Sequence, residues 1–356
     1  MSMIHALHVL IAEAISRASG FLLCSRDPQG LWSDFRLPVG ESSGWVTGFV
    51  GSVLACTGDD RVIRETKEVW NAFAAQKLFT GHGGWGYNLL TPEDADSTVW
   101  GIRFALSLGL DGKFRTKAAE EFLLKHWLTD GGITTYILEK ELRKLIGATP
   151  EEDIRGWTGS HLCVTAAAAG IPRFSSILLP YILEHQLPAG NWNGYWWSDS
   201  AYATAHATEA LLVAGMTEHR DAIDRAFSWA MQHFGREAFV ANEVFREGSP
   251  FATALALKTL LLAGEVDKTR EKSGAVARWL ISRQQDNGSW QPSALLQVPP
   301  PFMNIPVDPG SWPDGKGAAW GTVVTDHRSL FTTAAVLDSL VFYQKTHSGT
   351  IKPEAL

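Results

Sequence analysis

A short pattern of polar and apolar positions recurs six times along this chain, each time centred on a threonine that is followed by apolar residues. In the second copy, DSTVWGIRFAL from Asp96, the apolar positions lie three and four residues apart, as on one face of an α-helix. The residue four positions before the threonine is polar in every copy, as expected of an N-cap. The pattern predicts six apolar helices, which begin near Ser43, Asp94, His161, Ser200, Ser249 and Ser329.

A second pattern precedes these helices. It consists of an aromatic and an aliphatic residue, then an arginine, tryptophan or glutamine four positions after the aliphatic one. A glycine follows and, two positions after it, usually a tryptophan. The segment RWLISRQQDNGSW, which ends at Trp290, is the most complete copy. Copies with the same spacing end at Trp32, Ile133 and Trp192, and looser ones lie in residues 70–85 and 227–235. A helix that ends at a glycine turn before a second apolar helix predicts a helical hairpin.

Repeated hairpins must stack on one another to bury their apolar faces. The intervals between the six threonines are irregular, which argues against an open solenoid of constant curvature. We therefore predict an all-α fold, a single (α/α)6 toroid over residues 1–356, with six inner helices surrounded by six outer ones. The N-terminal ends of the inner helices would then meet around a central cavity.

The longest departure from the repeat is residues 291–328, which contain seven prolines and the aromatic residues Phe302, Trp312 and Trp320. Proline at this density excludes a helical hairpin. Long loops inside a compact domain are typically lids or binding loops, while a passive surface insertion is the alternative. The apolar content of the segment favours a lid over the cavity.

One position of the repeat departs from the pattern in a single copy. The residue two positions before each threonine is aromatic or cysteine, except in the second copy, where it is Asp96. Asp94, two residues earlier, stands at the N-cap position, and capping explains a carboxylate there. Capping does not explain Asp96 in a column otherwise held by apolar residues. We therefore interpret Asp96 as a functional acid, with a structural role at the helix start as the alternative.

Positions two before and two after the threonine lie four residues apart and hence on one helix face. If this face is directed at the cavity, the cavity is aromatic with one carboxylate; if it is directed at a neighbouring helix, these residues are core. The predicted substrate-cavity residues are Trp45, Phe49, Trp85, Tyr87, Trp100, Cys163, Trp197, Tyr202, His206, Phe251 and Phe331.

Composition places the chain among globular proteins, since 45% of its 356 residues are hydrophobic and 19% are charged. A formal net charge of -7 without a basic run argues against nucleic acid as a partner. The three cysteines are odd in number and form no CxxC pair, which favours a reducing, cytoplasmic compartment, with peripheral membrane association as an alternative.

The N-terminal segment, which carries Glu13 and Arg17, predicts an amphipathic helix rather than an export signal. We expect no transmembrane segment, because no apolar run reaches the ~18 residues that a membrane span requires.

The two patterns together resemble the terpenoid cyclase and protein prenyltransferase superfamily, and most of all the squalene-hopene and oxidosqualene cyclases. RWLISRQQDNGSW resembles the glutamine-tryptophan repeats of that family, in which both side chains tie successive outer helices together. DADST, which begins at Asp94, resembles the acid motif of the same family. As a repeat pattern, the resemblance covers nearly the whole chain.

The resemblance implies a class II cyclase, an isomerase or lyase of natural-product biosynthesis that protonates a small hydrophobic, isoprenoid-like polyene. Asp96 is then the proton donor and Asp94 its flanking carboxylate, while Ser97 replaces the last acid of the motif. Ala167 stands where the hopene-forming enzymes place a histidine bonded to the acid. The candidate acid partners from neighbouring repeats are His161 and His206.

Such chemistry requires an aspartic acid that stays neutral until it reacts. Burial raises the pKa of Asp96 and a nearby Asp94 carboxylate raises it further, whereas the helix N-terminus lowers it. Aromatic faces would then stabilise the carbocation by cation–π attraction.

Other functions fit parts of the pattern. Prenyltransferase β-subunits use the same toroid but hold zinc with an Asp-x-Cys pair, which this sequence lacks, although Asp326 and His327 lie near the last inner helix. A class I terpene synthase needs a magnesium cluster, and Asp59 and Asp60 lack the partner motif. A non-catalytic isoprenoid- or lipid-binding toroid and a cyclase of a non-terpene substrate remain alternatives. We expect no metal or other cofactor, with Mg²⁺ required only if the substrate is a diphosphate.

Overall fold

The computed structural model describes residues 3–76, 81–215, 218–264, 266–304, 309–313 and 320–349. In these ranges the chain is mostly helical. The helices are, in chain order, α1 (Met3–Cys24), α2 (Gly44–Ala55), α3 (Asp60–Ala74), α4 (Ala95–Ser107), α5 (Phe114–Leu124), α6 (Glu139–Ile146), α7 (Arg155–Thr158), α8 (Leu162–Ala169), α9 (Pro172–Glu184), α10 (Ala201–Gly215), α11 (Arg220–Phe234), α12 (Pro250–Ala263), α13 (Val266–Ser282) and α14 (Leu330–His347).

Six of these helices form a closed inner ring. Helices α2, α4, α8, α10, α12 and α14 contact one another in that order, and α14 also contacts α2. All residues of α2 and α12 are buried, because a helix of the inner ring is covered on every side. Helices α1, α3, α5, α9, α11 and α13 precede them as the outer partners of the hairpins. The predicted helical toroid is thus confirmed.

The inner helices begin where the repeat predicted, with N-cap residues Ser43, Asp94, His161, Ser249 and Ser329 and with α10 starting after Ser200. The side chains of Asp94 and Ser249 accept a capping hydrogen bond, whereas those of the remaining described N-caps, Ser43, His161 and Ser329, accept none. At α14 acids from neighbouring segments take that role: Asp34 accepts from the Leu330 N–H and Asp326 from that of Thr332. The expectation of a side-chain cap in every copy is therefore wrong.

The repeat threonines connect each inner helix to the turn that precedes it. In all six copies the threonine Oγ1 accepts a hydrogen bond from the backbone N–H at the end of that turn, over 2.9 to 3.3 Å. These N–H groups belong to Trp32, Trp85, Ile133, Trp192, Val240 and Trp290. The hydroxyl satisfies a buried donor that would otherwise destabilise the fold.

Tryptophan and glutamine complete the same joint. Trp290 Nε1 donates to the Leu280 carbonyl of its own outer helix, over 2.6 Å, and Trp32 and Trp192 repeat this contact. Gln284 Nε2 donates to the Gly288 carbonyl and to the Ala14 carbonyl, at 2.9 and 3.0 Å. Because Ala14 lies in α1, this bond joins the last outer helix to the first and closes the outer ring.

Three short antiparallel hairpins lie among the helices. They are β1 (Asp34–Leu37) with β2 (Gly40–Ser42), β3 (Trp85–Gly86) with β4 (Glu93–Asp94), and β5 (Leu295–Val298) with β6 (Thr322–Thr325). The β5–β6 pair, in the register Leu295 to Thr325, forms the base of the proline-rich segment. That segment is not a helical hairpin, as predicted, and its residues 305–308 and 314–319 lie outside the described ranges.

Residues Ala6–Cys24 of α1 are long and apolar enough to cross a membrane, the one such stretch among the described helices, and 39% of it is buried. The expectation that no run reaches this length is therefore corrected. The same helix contacts α13 and α14 and buries Leu7, Ile11 and Leu22.

Close approach of two inner helices gives a test of the packing. A Cβ at Gly48 of α2 would lie 2.8 Å from the backbone carbonyl carbon of Trp100 in α4, so Gly48→Ala should destabilise the protein by ~1–3 kcal/mol. Gly20 of α1 is the matched control, because its Cβ would meet nothing within 4 Å. Gly20→Ala should stabilise by ~0.5–1 kcal/mol through its helix propensity. Denaturant unfolding measures both, and equal effects would contradict the packing described.

Candidate active site

A cavity lies where the inner helices begin. Its empty space measures about 670 Å³ when the open solvent at its mouth is included, and about 80 Å³ of it is accessible to the centre of a water molecule. Its wall is mostly apolar and aromatic and carries two carboxyl groups. The lining residues are Leu37, Val39, Trp45, Tyr87, Thr91, Asp94, Asp96, Ser97, Thr135, Tyr136, Leu145, Ile146, Trp157, Trp196, Leu296 and Val298.

Asp94 ends strand β4 and caps helix α4. Its Oδ1 accepts the Ser97 N–H at 2.7 Å and its Oδ2 accepts the Ser97 hydroxyl at 2.8 Å. Burial nonetheless raises the pKa of Asp94 to about 7, because desolvation outweighs these hydrogen bonds. The capping role that the sequence assigned to this residue is therefore present, in a carboxyl group that gains a proton near neutral pH.

Asp96 lies in the first turn of α4 and has no comparable partner. Its Oδ1 is buried without a hydrogen bond to any described residue, while the side chain as a whole remains partly accessible from the cavity. Desolvation, and then the charge of Asp94, raise the pKa of Asp96 well above its usual range. The raised pKa favours the protonated form of this carboxyl group, the form that can donate a proton, in an aromatic and aliphatic cavity.

Aromatic side chains beside the acids are held by their polar atoms. Trp157 Nε1 donates to the Pro299 carbonyl at 2.9 Å, and the Tyr87 hydroxyl donates to the Phe35 carbonyl at 2.6 Å. Tyr136 stacks on Trp157 with ring centroids 6.0 Å apart. These bonds satisfy the polar atoms of the two rings with backbone carbonyl groups.

Most of the predicted cavity residues lie behind this wall. Of the eleven, Trp45 and Tyr87 line the cavity, whereas a second layer packs as core. Phe49 stacks on Phe331 at 4.0 Å between centroids. The members of this layer are Phe49, Trp100, Trp197, Tyr202, Phe251 and Phe331. These six side chains pack against one another across the ring, so the core alternative holds for them.

Trp85, Cys163 and His206 are also absent from the lining. Trp85 stacks on Phe73 of outer helix α3, with centroids 4.9 Å apart. Cys163 is buried, and desolvation raises the pKa of its thiol to about 12, with a smaller contribution from nearby Asp96. His206 bonds to Glu209 at 3.2 Å.

Neither histidine proposed as the acid partner is hydrogen-bonded to Asp96. His206 contacts Glu209 through Nδ1, and His161 contacts Thr135 through Nδ1 and the Gly156 carbonyl through Nε2. Burial lowers the pKa of both imidazoles to about 4. The two histidines that the sequence offered as possible acid partners are thus bonded to other groups in this structure.

Several lining residues were not found from the sequence. Tyr136, Leu145, Ile146 and Trp157 lie between α5 and α8, where α6 and α7 are inserted into the repeat. The wide interval between the second and third threonines was the only signal of this insertion. Trp196 follows a regular GxW turn, but neighbouring Trp197 was chosen in its place.

Comparison with known proteins agrees with this architecture. Residues 141–299 match the squalene-hopene cyclase C-terminal domain family. The chain is similar to a variant of type II terpene cyclase MstE from Scytonema bound to its substrate, geranylgeranyl dihydroxybenzoate, with a TM-score of 0.88 and 34% identity. The match covers 96% of this chain and 99% of that one. A complex of MstE with merosterolic acid A, its product, gives a TM-score of 0.89 with the same identity and coverage.

Two further proteins are similar. A protein from Actinoplanes has 35% identity and a TM-score of 0.84, with 93% of this chain and 99% of that chain covered. Terpene cyclase/mutase ntnI from Nectria sp is 27% identical over 159 residues. That match spans 36% of this chain and only 21% of the length of ntnI.

The raised pKa of Asp94 gives a prediction for stability. The folded carboxyl keeps its proton up to a pH of about 7, whereas the unfolded one loses it near 3.8. Unfolding therefore releases a proton in this window, and stability falls as the pH rises through it. In Asp94→Asn the amide still caps the helix but does not titrate. The decrease in the free energy of unfolding with pH should therefore become smaller by up to ~1.4 kcal/mol per pH unit.

The control for this experiment is Asp153→Asn. Asp153 is exposed, and its hydrogen bonds with Arg155 lower its pKa to about 2, so it is ionised throughout the upper part of the window. The pH dependence of this variant between about 5 and 7 should match that of the parent protein. Denaturant unfolding at several pH values measures both, and an unchanged slope in Asp94→Asn would contradict a raised pKa.

Proposed function

This chain belongs to the class II terpene cyclases, a family of cyclising enzymes, and from that premise we propose that Asp96 is the general acid that starts its reaction. The observation that carries the proposal is the environment of this side chain: an oxygen without a hydrogen-bond partner among the described residues, on a carboxyl group whose pKa burial raises and which is reached from an aromatic cavity. A structural acid at a helix start would accept N–H groups, as Asp94 does.

In the proposed reaction Asp96 transfers its proton to a terminal alkene or epoxide of the substrate. A new C–H or O–H bond forms, Asp96 becomes a carboxylate, and the cation is consumed by carbon–carbon bond formation along the chain. Loss of one proton from the final cation makes the product an isomer of the substrate. The positive N-terminal end of α4 stabilises the Asp96 carboxylate until it is protonated again.

The wall is suited to guiding the cation. Trp45, Trp157 and Trp196 line the cavity beside the acid. Each ring face that meets the migrating charge contributes ~0.5–2 kcal/mol of stabilisation. Indole is the strongest of the aromatic side chains in this respect, and it has no lone pair basic enough to capture a carbocation.

The substrate that we propose is a polyprenyl chain joined to an aromatic acid, or a related isoprenoid. Support comes from the likeness to MstE, whose structures hold geranylgeranyl dihydroxybenzoate and merosterolic acid A. The described lining contains neither lysine nor arginine, the side chains that bind phosphate groups. A chain without a diphosphate suits that lining better than a diphosphate ester.

We also propose that the proline-rich segment and α6 act together as a lid. Leu296 and Val298 of β5 line the cavity, as do Leu145 and Ile146 of α6. These apolar side chains would exclude the water that quenches a cation. Phe302 is 46% exposed and Trp320 packs near it, so we assign the exclusion of water to the aliphatic side chains rather than to these aromatic ones.

Asp96→Asn tests the acid directly. Asparagine keeps the size of the side chain but cannot donate the proton, so product formation should fall at least ~10²–10⁴-fold. Burial of a neutral amide costs no more than burial of a neutral acid, so thermal stability should change little. Product formed from a prenylated aromatic substrate, measured by mass spectrometry, and a thermal melt give the two readouts.

Asp94→Asn is the matched variant, since it retains the cap and removes only the neighbouring carboxyl. We expect it to lose less activity than Asp96→Asn. Turnover at the parental rate in Asp96→Asn would refute the acid role. A larger loss in Asp94→Asn would transfer the role of the acid to Asp94.

Metal dependence is a separate prediction. Among the described residues, no group of three His, Cys, Asp or Glu side chains could hold a metal ion. We therefore propose that turnover is unchanged after dialysis against a chelator, with less than a ~2-fold effect on rate, because proton transfer from a carboxylic acid needs no metal. A loss of activity that zinc or magnesium restores would contradict this.

A further inference from the structure

A chain of hydrogen bonds connects the cavity wall to a buried histidine. Trp196 Nε1 donates to Thr135 Oγ1 at 2.9 Å. Thr135 Oγ1 lies 2.5 Å from His161 Nδ1, and His161 Nε2 lies 2.7 Å from the Gly156 carbonyl oxygen. All three side chains are buried, and Trp196 and Thr135 line the cavity.

The partners determine the direction of every bond in this chain. A carbonyl oxygen only accepts, so His161 carries its proton on Nε2 and donates it to Gly156. Nδ1 is then an acceptor, and it receives the hydroxyl proton of Thr135. This leaves the Thr135 oxygen free to accept the indole N–H of Trp196. When the imidazole is neutral, every donor in this series of hydrogen bonds therefore has an acceptor.

Thr135 also holds the start of the helix that carries the acid. Its backbone carbonyl accepts the Ala95 N–H at 2.9 Å. Ala95 lies between Asp94 and Asp96, in the first turn of α4. Thr135 therefore fixes the indole of Trp196 with its side chain and the helix start that carries Asp96 with its backbone.

Neighbouring rings hold the histidine in this orientation. The imidazole of His161 lies 4.1 Å from the ring of Tyr195 between centroids, and 5.3 Å from that of Trp196. Trp196 meets Trp157, across the same wall, at 5.4 Å in an edge-to-face contact. A rotation of Trp196 would therefore displace two ring faces of the cavity.

We propose that His161 and Thr135 are positioning residues that control product specificity by holding the indole of Trp196 against the path of the cation. This inference rests on the proposed cyclase function and extends it to the choice between products. Neither residue transfers the initiating proton. If Trp196 is free to turn, the cation near it loses stabilisation and ends early, either by proton loss or by capture of water.

The test compares the product ratios of His161→Phe, Thr135→Val and the double variant, using a prenylated aromatic substrate and mass spectrometry. Thr135→Val preserves shape and removes the hydroxyl. Each single variant should raise the ratio of early-terminated or hydrated product to main product by about 2- to 30-fold, as expected for a lost cation–π contact. The double variant should show no more than the larger single effect, because both break one chain.

Two further variants separate positioning from general stability. His161→Gln, whose amide supplies one donor and one acceptor, should restore most of the parental ratio. His126→Phe is the matched control: His126 is also fully buried, its pKa is also lowered to about 4 by burial, and Nδ1 bonds to the Thr134 carbonyl outside the cavity wall. It should lower the melting temperature without changing the product ratio.

The inference is overturned if folded Thr135→Val makes the parental product ratio, or if the effects of the two single variants simply add. Should His161→Phe fail to fold, Thr135→Val and His161→Gln carry the same test. Failure of the proposed function would show instead as no cyclised product from the parent protein or, for the acid role, as full turnover in Asp96→Asn. The two results are therefore distinguishable.

Discussion

The hydrogen bond between each repeat threonine and the turn before it is the contact on which the architecture depends. It occurs in all six hairpins, at the same helical position and to the same backbone group. Because a buried N–H without an acceptor is costly, the bond fixes how far each turn extends over its inner helix. Six identical joints in a closed ring place six helix starts at one end, and the cavity forms there.

Asp96 lies at one of these six helix starts and destabilises the fold locally. Its position is held in the other repeats by Trp, Cys, Tyr or Phe, apolar or aromatic side chains that fill space within the ring. A carboxyl group there forfeits apolar packing and leaves an oxygen unsatisfied, which destabilises the folded state. The surrounding ring tolerates that loss because its joints do not involve this side chain. Burial at this position also raises the pKa of the Asp96 carboxyl group well above its usual range, which favours the protonated form.

Repetition explains how much could be predicted. The helical class, the ring and the helix starts follow from a pattern repeated six times, in which each copy checks the others. The depth of a side chain within the ring does not follow, so Phe49 and Phe331 were assigned to the cavity although they stack on each other beneath it. Tyr136 and Trp157 were missed because they lie in an insertion without a repeat, where only tertiary structure shows which residues reach the acid.

Closure of the outer ring by the Gln284 bond to Ala14 limits how such a protein can change in evolution or by design. An open array of hairpins can gain or lose a unit at either end and grow longer. A closed ring of six hairpins cannot, because a ring of five or seven would change the crossing angle between every pair of neighbouring helices. Room for a larger or smaller substrate must therefore come from what is inserted between the helices of the ring, such as the segment that holds α6 and α7 and the proline-rich segment.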